Sequence, residues 1–396
     1  MIISRRGLLT APSILLPALA RAENDKVNVN SFLRDAASKP GGRELQMALE
    51  ASAKTGNSAY IPAGCVVVLR DEQSVVLPTG SSLVGDGARS VLTGVYTHKV
   101  TNCLLRTNWR NPVRNLVLRN FAIDRSGTGI EHGILLNGVD GLVVDRLSVS
   151  GVATAVSGIL AVSSVLNATG NVSRLISRNI LISNCYFNDC GNFGIQLGAV
   201  DGAIVRDCQF LRAYREAVGV EPEACDVASS ISILRNRFSC LPDLRQGSET
   251  GVIVVTMTSG AAAIRKVYIA ENTIEFGATS QGRVMPGIGL YGHIDALIEK
   301  NVIRNAAGPG IQLGNLFEQS SSCGPSASLV SGRLIGARVV DNQIDSPNMG
   351  RNVGGDGAAI YARGAQGTLI ARNHVTGRLH TSDLVQDSGA KNNALH

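Results

Sequence analysis

Short runs of β-branched and aliphatic residues recur along most of the chain, and residues 266–305 show the pattern most clearly. Two runs, residues 267–269 and 296–298, are each followed by an Asn two positions ahead of an Ile, at Asn272 and Asn301. A third run, residues 287–290, lies between them. Runs this short, rich in Val and Ile and separated by Gly, Asn and Asp, predict strands rather than helices. The unit is therefore strand, Asn-bearing turn, strand, loop and strand.

This unit repeats through most of the chain. The residue that leads its second strand occurs seven times, at intervals of 23 to 41 residues: Cys185, Cys208, Asn236, Asn272, Asn301, Asn342 and Asn373. A second series of runs keeps step at residues 133–136, 194–197, 287–290, 310–313 and 358–361. One such unit cannot bury its own apolar face, so the pattern predicts coils stacked into a solenoid. Equivalent residues of stacked coils lie about 4.8 Å apart, and we expect each Asn to adopt the left-handed conformation and to hydrogen-bond its neighbours.

The repeat resembles the right-handed parallel β-helix of the pectate-lyase-like superfamily, where an asparagine ladder at this turn is common. The resemblance implies an all-β fold: a single-stranded, right-handed parallel β-helix (solenoid) with an N-terminal capping helix. Helical spacing of apolar residues around Leu45 and Leu49 predicts that helix within residues 24–57. The segments that follow it, including Leu83–Gly87, look like the first coils of the superfamily. A helix over the open end of a solenoid prevents edge-to-edge pairing of strands.

The predicted organisation has four parts: an export signal at residues 1–22, an N-terminal cap at 23–74, the β-helix at 75–378 and a polar tail at 379–396. Arg5 and Arg6 precede a modest apolar run that ends in Ala20-Arg21-Ala22, which resembles a twin-arginine export signal. An ordinary secretory signal is the alternative. Either signal predicts a periplasmic or secreted protein. The apolar run is too short for a membrane span, so no integral membrane segment is expected after cleavage.

Charge and cysteine content narrow the range of partners. Cleavage after Ala22 removes three arginines and no acidic residue, which lowers the formal net charge from +6 to +3. No basic run with interleaved aromatics is present, so nucleic acid is not expected as a partner. Cys185 and Cys208 should stack on adjacent coils, either as a disulfide or as buried free thiols. The sequence contains no recognisable metal-binding motif, so no cofactor is evident, and calcium stays an open possibility.

The third strands carry one candidate site. Alternation places Ile195, Leu197, Ile288 and Leu290 inward, and the outward positions that follow these strands include Glu221, Val255, Tyr291 and Ala362, with His293 one outward step beyond. Glu221 and Tyr291 should lie two coils, or roughly 10 Å, apart, which leaves room for a sugar ring or a water molecule. Tyr or His can serve as base and acid in β-elimination of uronates. The alternative is that Tyr291 and His293 are ordinary loop residues.

A second candidate group precedes these strands. Arg215 and Glu249 are expected on adjacent coils, with Glu131 and Asn192 on the same face. Arg215 would neutralise a uronate carboxylate, and Glu249 would act as general acid or base. The alternative is a ladder of surface ion pairs, which contributes little to the stability of the fold.

The leading hypothesis is an exported protein that acts on a polysaccharide or oligosaccharide substrate, as a lyase, hydrolase or epimerase of an acidic glycan. The chain lacks the Asp-Pro-His-Glu string of alginate epimerases and the aspartate set of polygalacturonases. These absences leave open whether it is an enzyme, because the same fold hosts lyases, hydrolases and non-enzymes. The alternative is a non-catalytic β-helix that binds carbohydrate or serves a structural role.

Overall fold

The structure is a computed structural model that describes most of the chain after residue 24. The described residues are 25–35, 38–70, 74–96, 103–108, 111–127, 129–151, 157–162, 164–166, 172–189, 193–213, 216–222, 227–240, 251–256, 263–277, 285–292, 294–314, 319–320, 329–330, 336–347, 358–363, 365, 367–377, 382–386 and 394–395. They fall into two compact units, unit 1 with Met1–Gly191 and Val200–Cys208, and unit 2 with Asn192–Ala199 and Gln209–His396. The predicted export signal lies outside the described residues.

Short strands dominate both units. In chain order up to Arg206 they are β1 (Lys26–Asn28), β2 (Ser58–Ile61), β3 (Val66–Arg70), β4 (Val75–Val76), β5 (Ser82–Val95), β6 (Cys103–Arg106), β7 (Val113–Arg125), β8 (His132–Asn137), β9 (Val139–Asp145), β10 (Ser148–Gly151), β11 (Ser157–Val162), β12 (Ser164–Leu166), β13 (Val172–Arg174), β14 (Ser177–Ser183), β15 (Tyr186–Asn188), β16 (Phe193–Leu197) and β17 (Val200–Arg206).

The strands after Arg206 continue the same order. They are β18 (Gln209–Ala213), β19 (Val218–Val220), β20 (Val227–Leu234), β21 (Arg237–Cys240), β22 (Ile253–Thr256), β23 (Ala263–Ala270), β24 (Thr273–Phe276), β25 (Ile288–Tyr291), β26 (Ile294–Glu299), β27 (Val302–Arg304), β28 (Ile311–Gly314), β29 (Gln319–Ser320), β30 (Leu329–Val330), β31 (Arg338–Val340), β32 (Gln343–Asp345), β33 (Ala358–Arg363), β34 (Leu369–Ala371), β35 (His374–Thr376), β36 (Ser382–Gln386) and β37 (Ala394–Leu395). The helices of the described residues are a 3-10 turn at Val29–Phe32 and the α-helix α1 at Gly42–Thr55.

Each coil of unit 2 supplies three strands that stack in parallel on the same strands of the next coil. The first strands are β20, β23, β26, β31, β34 and β37, the second are β18, β21, β24, β27, β32 and β35, and the third are β16, β19, β22, β25, β28, β33 and β36. Unit 1 stacks in the same way, for example β9 on β14 and β14 on β17. The predicted all-β fold, a right-handed parallel β-helix with an N-terminal helix, is therefore confirmed.

The core lies inside the coils, between the strands. On the third strands Ile288 and Leu290 are fully buried, and Ile274 and Ile303 of the second strands face them from the same core. Phe210 and Phe238 stack on adjacent coils with ring centroids 4.7 Å apart. Because each inward residue meets its counterpart of the next coil, apolar columns run through the coils and exclude water.

The asparagine ladder joins five coils of unit 2, from Asn236 to Asn373. The side-chain amide and backbone N–H of Asn272 both donate to Asn301 Oδ1, at 2.9 and 3.0 Å. The same pair of bonds recurs at each step of the ladder. The predicted conformation of these residues was wrong: the residue before each Asn is left-handed, as with Lys300 at φ 54°. The chain turns at that residue, so the Asn can point into the stack.

In unit 1, Cys185 and Cys208 occupy the corresponding turn. Ser183 pairs with Arg206, so the two cysteines lie level two residues further along. Both are buried free thiols, as the second of the two predicted alternatives states. Their sulfurs lie 3.2 and 3.3 Å from the carbonyl oxygens of Ser183 and Arg206. Burial raises the pKa of the Cys208 thiol.

The helix α1 caps the N-terminal end of unit 1, as predicted, over narrower bounds than residues 24–57. The side chain of Gln46 donates to the carbonyl oxygen of Val76 at 3.1 Å and accepts from its N–H at 2.8 Å. Val76 lies in β4, which ends its sheet. The Ser52 hydroxyl makes a similar pair of bonds with the backbone of Ser82. Side chains of α1 thus occupy backbone groups that the terminal strands would otherwise leave unpaired.

Candidate functional site

The outer face of the third strands in unit 2 brings Glu221 and Tyr291 into one line. Val220 pairs with Val255, and Thr256 pairs with Tyr291. Glu221, Thr256 and Tyr291 therefore follow one another on three adjacent coils. Glu221 and Tyr291 are two strand spacings, or about 10 Å, apart, which is the predicted separation.

Glu221 is held by the preceding coil. Its Oε2 accepts a hydrogen bond of 3.0 Å from the side-chain amide of Gln196. Its backbone N–H donates to the carbonyl oxygen of Leu197 at 2.8 Å. Because inward residues such as Leu197 alternate with outward ones, Gln196 projects from the same face as Glu221. Glu221 is half-buried, and the hydrogen bond from Gln196 fixes the orientation of its carboxyl group.

Tyr291 ends the strand β25 and is 6% exposed. Gly292 follows it with a φ of 112°, a value that side chains rarely adopt, so the chain leaves the strand immediately after the phenol. Thr256, between Glu221 and Tyr291, is half-buried. The line thus combines a carboxylate, a hydroxyl and a phenol on one face. His293, the third member of this predicted group, lies outside the described residues.

Most of the second predicted group, that of Arg215 and Glu249, lies outside the residues that the structure describes. Arg215, Glu249 and Asn192 are all outside the described residues, and Glu131 is half-buried in unit 1. The proposed pairing of Arg215 with Glu249 therefore stays a prediction.

Two outward positions were predicted wrongly. Val255 pairs with Leu290 and is fully buried in the core, so Thr256 takes the outward place on β22. Ala362 pairs with Leu313, which makes the next residue along the chain the counterpart of Tyr291. In both strands the outward residue is one position further along the chain than predicted. Long insertions precede these strands, so the sequence does not show at which residue each strand begins.

Two residues of the site were missed from the sequence. Gln196 lies between the inward residues Ile195 and Leu197, so alternation alone could have placed it outward. Phe193 begins the same strand and is half-buried, and its ring leans over the next coil. The sequence offers no signal for that contact, because it joins residues of different coils.

Ionisable groups also interact with one another away from this face. The Tyr268 hydroxyl donates to Glu299 Oε1 at 2.7 Å, and both residues are buried. In unit 1, burial and the nearby Arg125 lower the pKa of His132 to about 4. At the N-terminal cap, the hydroxyl of Tyr60 donates to Asp86, and this bond lowers the pKa of the Asp86 carboxyl.

A shallow groove of about 300 Å³ lies on a different face, the outer side of the second strands. It is lined by Gln209, Leu211, Arg237, Phe238, Ser239, Thr273 and Glu275. Glu275, Arg304 and Asp345 stand in line on successive strands of this face, so acidic and basic side chains alternate. This arrangement is the charge ladder expected of a flat surface.

Within the ranges that the structure describes, no three His, Cys, Asp or Glu residues come together as a metal site. Calcium binding stays a prediction. None of the helices among these residues is long and apolar enough to cross a membrane.

Comparison with known proteins agrees with the architecture. The family model of the right handed beta helix region matches residues 111–275. A search of curated protein sequences gives no match.

Solved structures of similar fold cover nearly the whole chain. The DFA-IIIase of Arthrobacter chlorophenolicus A6, in complex with GF2, has a TM-score of 0.62 at 13% identity over 93% of this chain and 93% of that chain. The Family 28 exopolygalacturonase of Yersinia enterocolitica has a TM-score of 0.61 at 13% identity over 94% and 78%. The mannuronan C-5 epimerase AlgE4 A-module of Azotobacter vinelandii has a TM-score of 0.54 at 16% identity over 93% and 100%. At these identities the similarity shows the fold alone.

Proposed function

We propose that the protein is an exported, polysaccharide-active β-helix protein that acts on an acidic glycan as a lyase, hydrolase or epimerase. The observation that carries the proposal is the line of Glu221, Thr256 and Tyr291 on one face, with Glu221 oriented by Gln196. Glu221 and Tyr291 stand two strand spacings, or about 10 Å, apart along the face, which leaves room for one sugar ring. A glycan substrate is supported by the solved structures of similar fold, which include a mannuronan epimerase, an exopolygalacturonase and a DFA-IIIase.

In the lyase form of the proposal, Tyr291 or His293 acts as the base. The base removes the proton on C5 of a uronate, the electron pair forms the C4–C5 double bond, and the C4–O bond breaks. The leaving oxygen takes a proton from the acid partner. Arg215 would neutralise the uronate carboxylate, which makes the C5 proton more acidic.

In the hydrolytic form, Glu221 and Glu249 are the carboxylates that protonate the leaving oxygen and activate water. In either form the glycan lies along the outer face of the third strands. Export by the twin-arginine route and a periplasmic or secreted location belong to the same proposal. Because a requirement for calcium stays open, each assay is run with and without it.

The test is activity on pectate, alginate and glycosaminoglycans, with and without calcium. Ultraviolet absorbance of the unsaturated product reports elimination, reducing ends report hydrolysis, and proton NMR of the polymer reports epimerisation. Tyr291→Phe should lower an elimination rate by about 10²- to 10⁴-fold, the usual contribution of one acid–base group. Glu221→Gln should lower a hydrolytic rate by a similar factor.

Matched controls come from the second strands. Tyr186→Phe and Glu275→Gln change an exposed phenol and an exposed carboxylate that do not belong to the third strands, and both should keep full activity. Equal losses in the control and test variants would contradict the proposed roles.

A non-catalytic, carbohydrate-binding or structural protein is the second candidate. The observation that favours it is the alternating line of Glu275, Arg304 and Asp345, together with the exposed Arg372–Asp341 ion pair at 2.7 Å. Charges that neutralise one another along a flat face are typical of a scaffold. Inactivity in all three assays with binding retained on a glycan array would favour this candidate.

A further inference from the structure

The ring of Phe193 rests on the outer face of the next coil, above Gly219. A Cβ atom at position 219 would lie 3.0 Å from Phe193 Cε1 and 3.1 Å from Cδ1. Both distances are closer than ordinary van der Waals contact, so glycine is what lets the ring lie directly on the backbone of β19. Val218 and Val220 on either side are fully buried and point inward, which confirms that the ring lies on the outward side.

Glu221 reaches the same place. The point where a Cβ of residue 219 would stand is 3.7 Å from the carboxyl carbon of Glu221. An aromatic ring and a carboxylate therefore border one small space, with the Gln196 amide bonded to the carboxylate at 3.0 Å. Phe193 and Glu221 are both half-buried, so each keeps part of its surface open to solvent.

This combination matches the two surfaces of a sugar. The C–H face of a sugar ring is apolar and packs on aromatic rings, whereas its hydroxyl groups donate hydrogen bonds to carboxylates. One carboxyl oxygen of Glu221 already accepts from the Gln196 amide. A carboxylate is an acceptor that binds donor groups, so the edge of the sugar that faces Glu221 must offer hydroxyls rather than a second carboxylate.

We propose that Phe193, Gln196 and Glu221 form a sugar-binding subsite, in which a ring stacks on Phe193 and turns a hydroxyl edge toward Glu221. The inference rests on the proposed function and adds a specificity-determining residue to it. Any carboxylate on the bound sugar points away from Glu221. Phe193 is a binding residue here, and Gln196 is a positioning residue.

The experiment measures binding of trigalacturonate, trimannuronate and a neutral fructan trisaccharide by calorimetry. Phe193→Leu keeps an apolar side chain but removes the flat ring, and should weaken binding by roughly 3- to 10-fold. Phe193→Tyr keeps the ring and should bind like the wild type. Gly219→Ala displaces the ring and should also weaken binding, whereas the control Tyr186→Leu should not.

Saturation-transfer NMR with irradiation of aromatic protons adds a readout that a purely structural role would not affect. The sugar-ring protons should gain saturation in the wild type and lose most of it in Phe193→Leu. Equal affinity and equal saturation in wild type and Phe193→Leu would overturn the subsite, and so would a lack of binding to all three trisaccharides. Binding that depends on Phe193, without any catalytic activity, would support the subsite and contradict the enzymatic proposal. Catalytic activity with a KM that Phe193→Leu does not change would support the enzymatic proposal and contradict the subsite.

Discussion

A single position in each coil, the ladder position at the turn between first and second strands, has two hydrogen-bonding tasks. The amide of Asn301 donates to the carbonyl oxygens of Ile269 and Glu299, and its Oδ1 accepts from Asn272 of the preceding coil. A cysteine at this position retains the first task only: the Cys185 sulfur lies near the carbonyl oxygens of Ser183 and Val144. A thiol is a weak donor and a poor acceptor, so a cysteine covers carbonyls without linking neighbouring backbones.

Asn301→Ala is therefore expected to destabilise unit 2. The substitution removes three buried side-chain donations and leaves the Asn272 N–H and amide without their acceptor. Buried groups left unpaired cost about 1–3 kcal/mol each, so the free energy of unfolding should fall by about 2–4 kcal/mol. Urea denaturation measures this loss. Gln343→Ala, at an exposed position nearby, is the control, and an equal effect there would contradict the ladder's role.

His132 should make stability depend on pH. Its pKa is lowered from 6.5 to about 4 by burial and by the nearby Arg125. The unfolded chain therefore binds one more proton than the folded protein between these values, and stability is lost as the pH falls from about 6.5 to about 4. The loss at the lower limit is about 3 kcal/mol. Urea denaturation across this range should show a shallower pH dependence in His132→Gln.

The matched control for that experiment is His374→Gln, since His374 is exposed on β35. It should leave the pH dependence of the wild type unchanged. Parallel curves for the wild type and His132→Gln would show that His132 is not the group responsible.

At the scale of elements, α1 closes the edge of a sheet with side chains rather than with another strand. Gly41 and Glu44 begin the helix with a bond of 2.9 Å from the Gly41 N–H to Glu44 Oε2. One amide side chain, that of Gln46, then satisfies both backbone groups of Val76. A helix placed this way prevents other chains from adding to the terminal strand.

Gln46→Ala should expose that edge. It leaves the N–H and C=O of Val76 without their partner, so we expect a loss of about 1–3 kcal/mol in the free energy of unfolding. Light scattering should also detect concentration-dependent association. Arg43→Ala, an exposed substitution on the same helix, should change neither quantity. Association by neither variant would mean that the helix itself, and not the Gln46 bonds, protects the edge.

At the scale of the whole molecule, the strands of each unit pair with their counterparts in neighbouring coils. In a solenoid of this kind, folding can begin in one repeat and spread to its neighbours.

Replacing both Arg5 and Arg6 with Lys should prevent export if the signal is of the twin-arginine type. Fractionation of a bacterial host, followed by immunoblotting, measures the exported form. N-terminal sequencing of that form should start at Glu23. Arg34→Lys, which follows the predicted cleavage site, is the control, and normal export of the Arg5/Arg6 variant would indicate an ordinary secretory signal.

The fold could be predicted from the sequence because the repeat is local. Each coil contains its own short Val and Ile runs within a few tens of consecutive residues, and an Asn occurs at the same turn in five coils. The candidate site was less accessible. Glu221 and Tyr291 were placed at the right spacing, whereas Val255 was given the position that Thr256 occupies, because the insertion before β22 conceals the phase of its alternation.

The sequence by itself thus determined the coil, its three strands, the ladder position and the capping helix, since each depends on the order of neighbouring residues. Only the tertiary structure decided which residues of different coils meet. Gln196 bonds to Glu221, 25 residues away, and the Phe193 ring lies on Gly219. Coil lengths vary between 23 and 41 residues, so these partners follow from the pairing of strands, which the core packing fixes and no local pattern encodes.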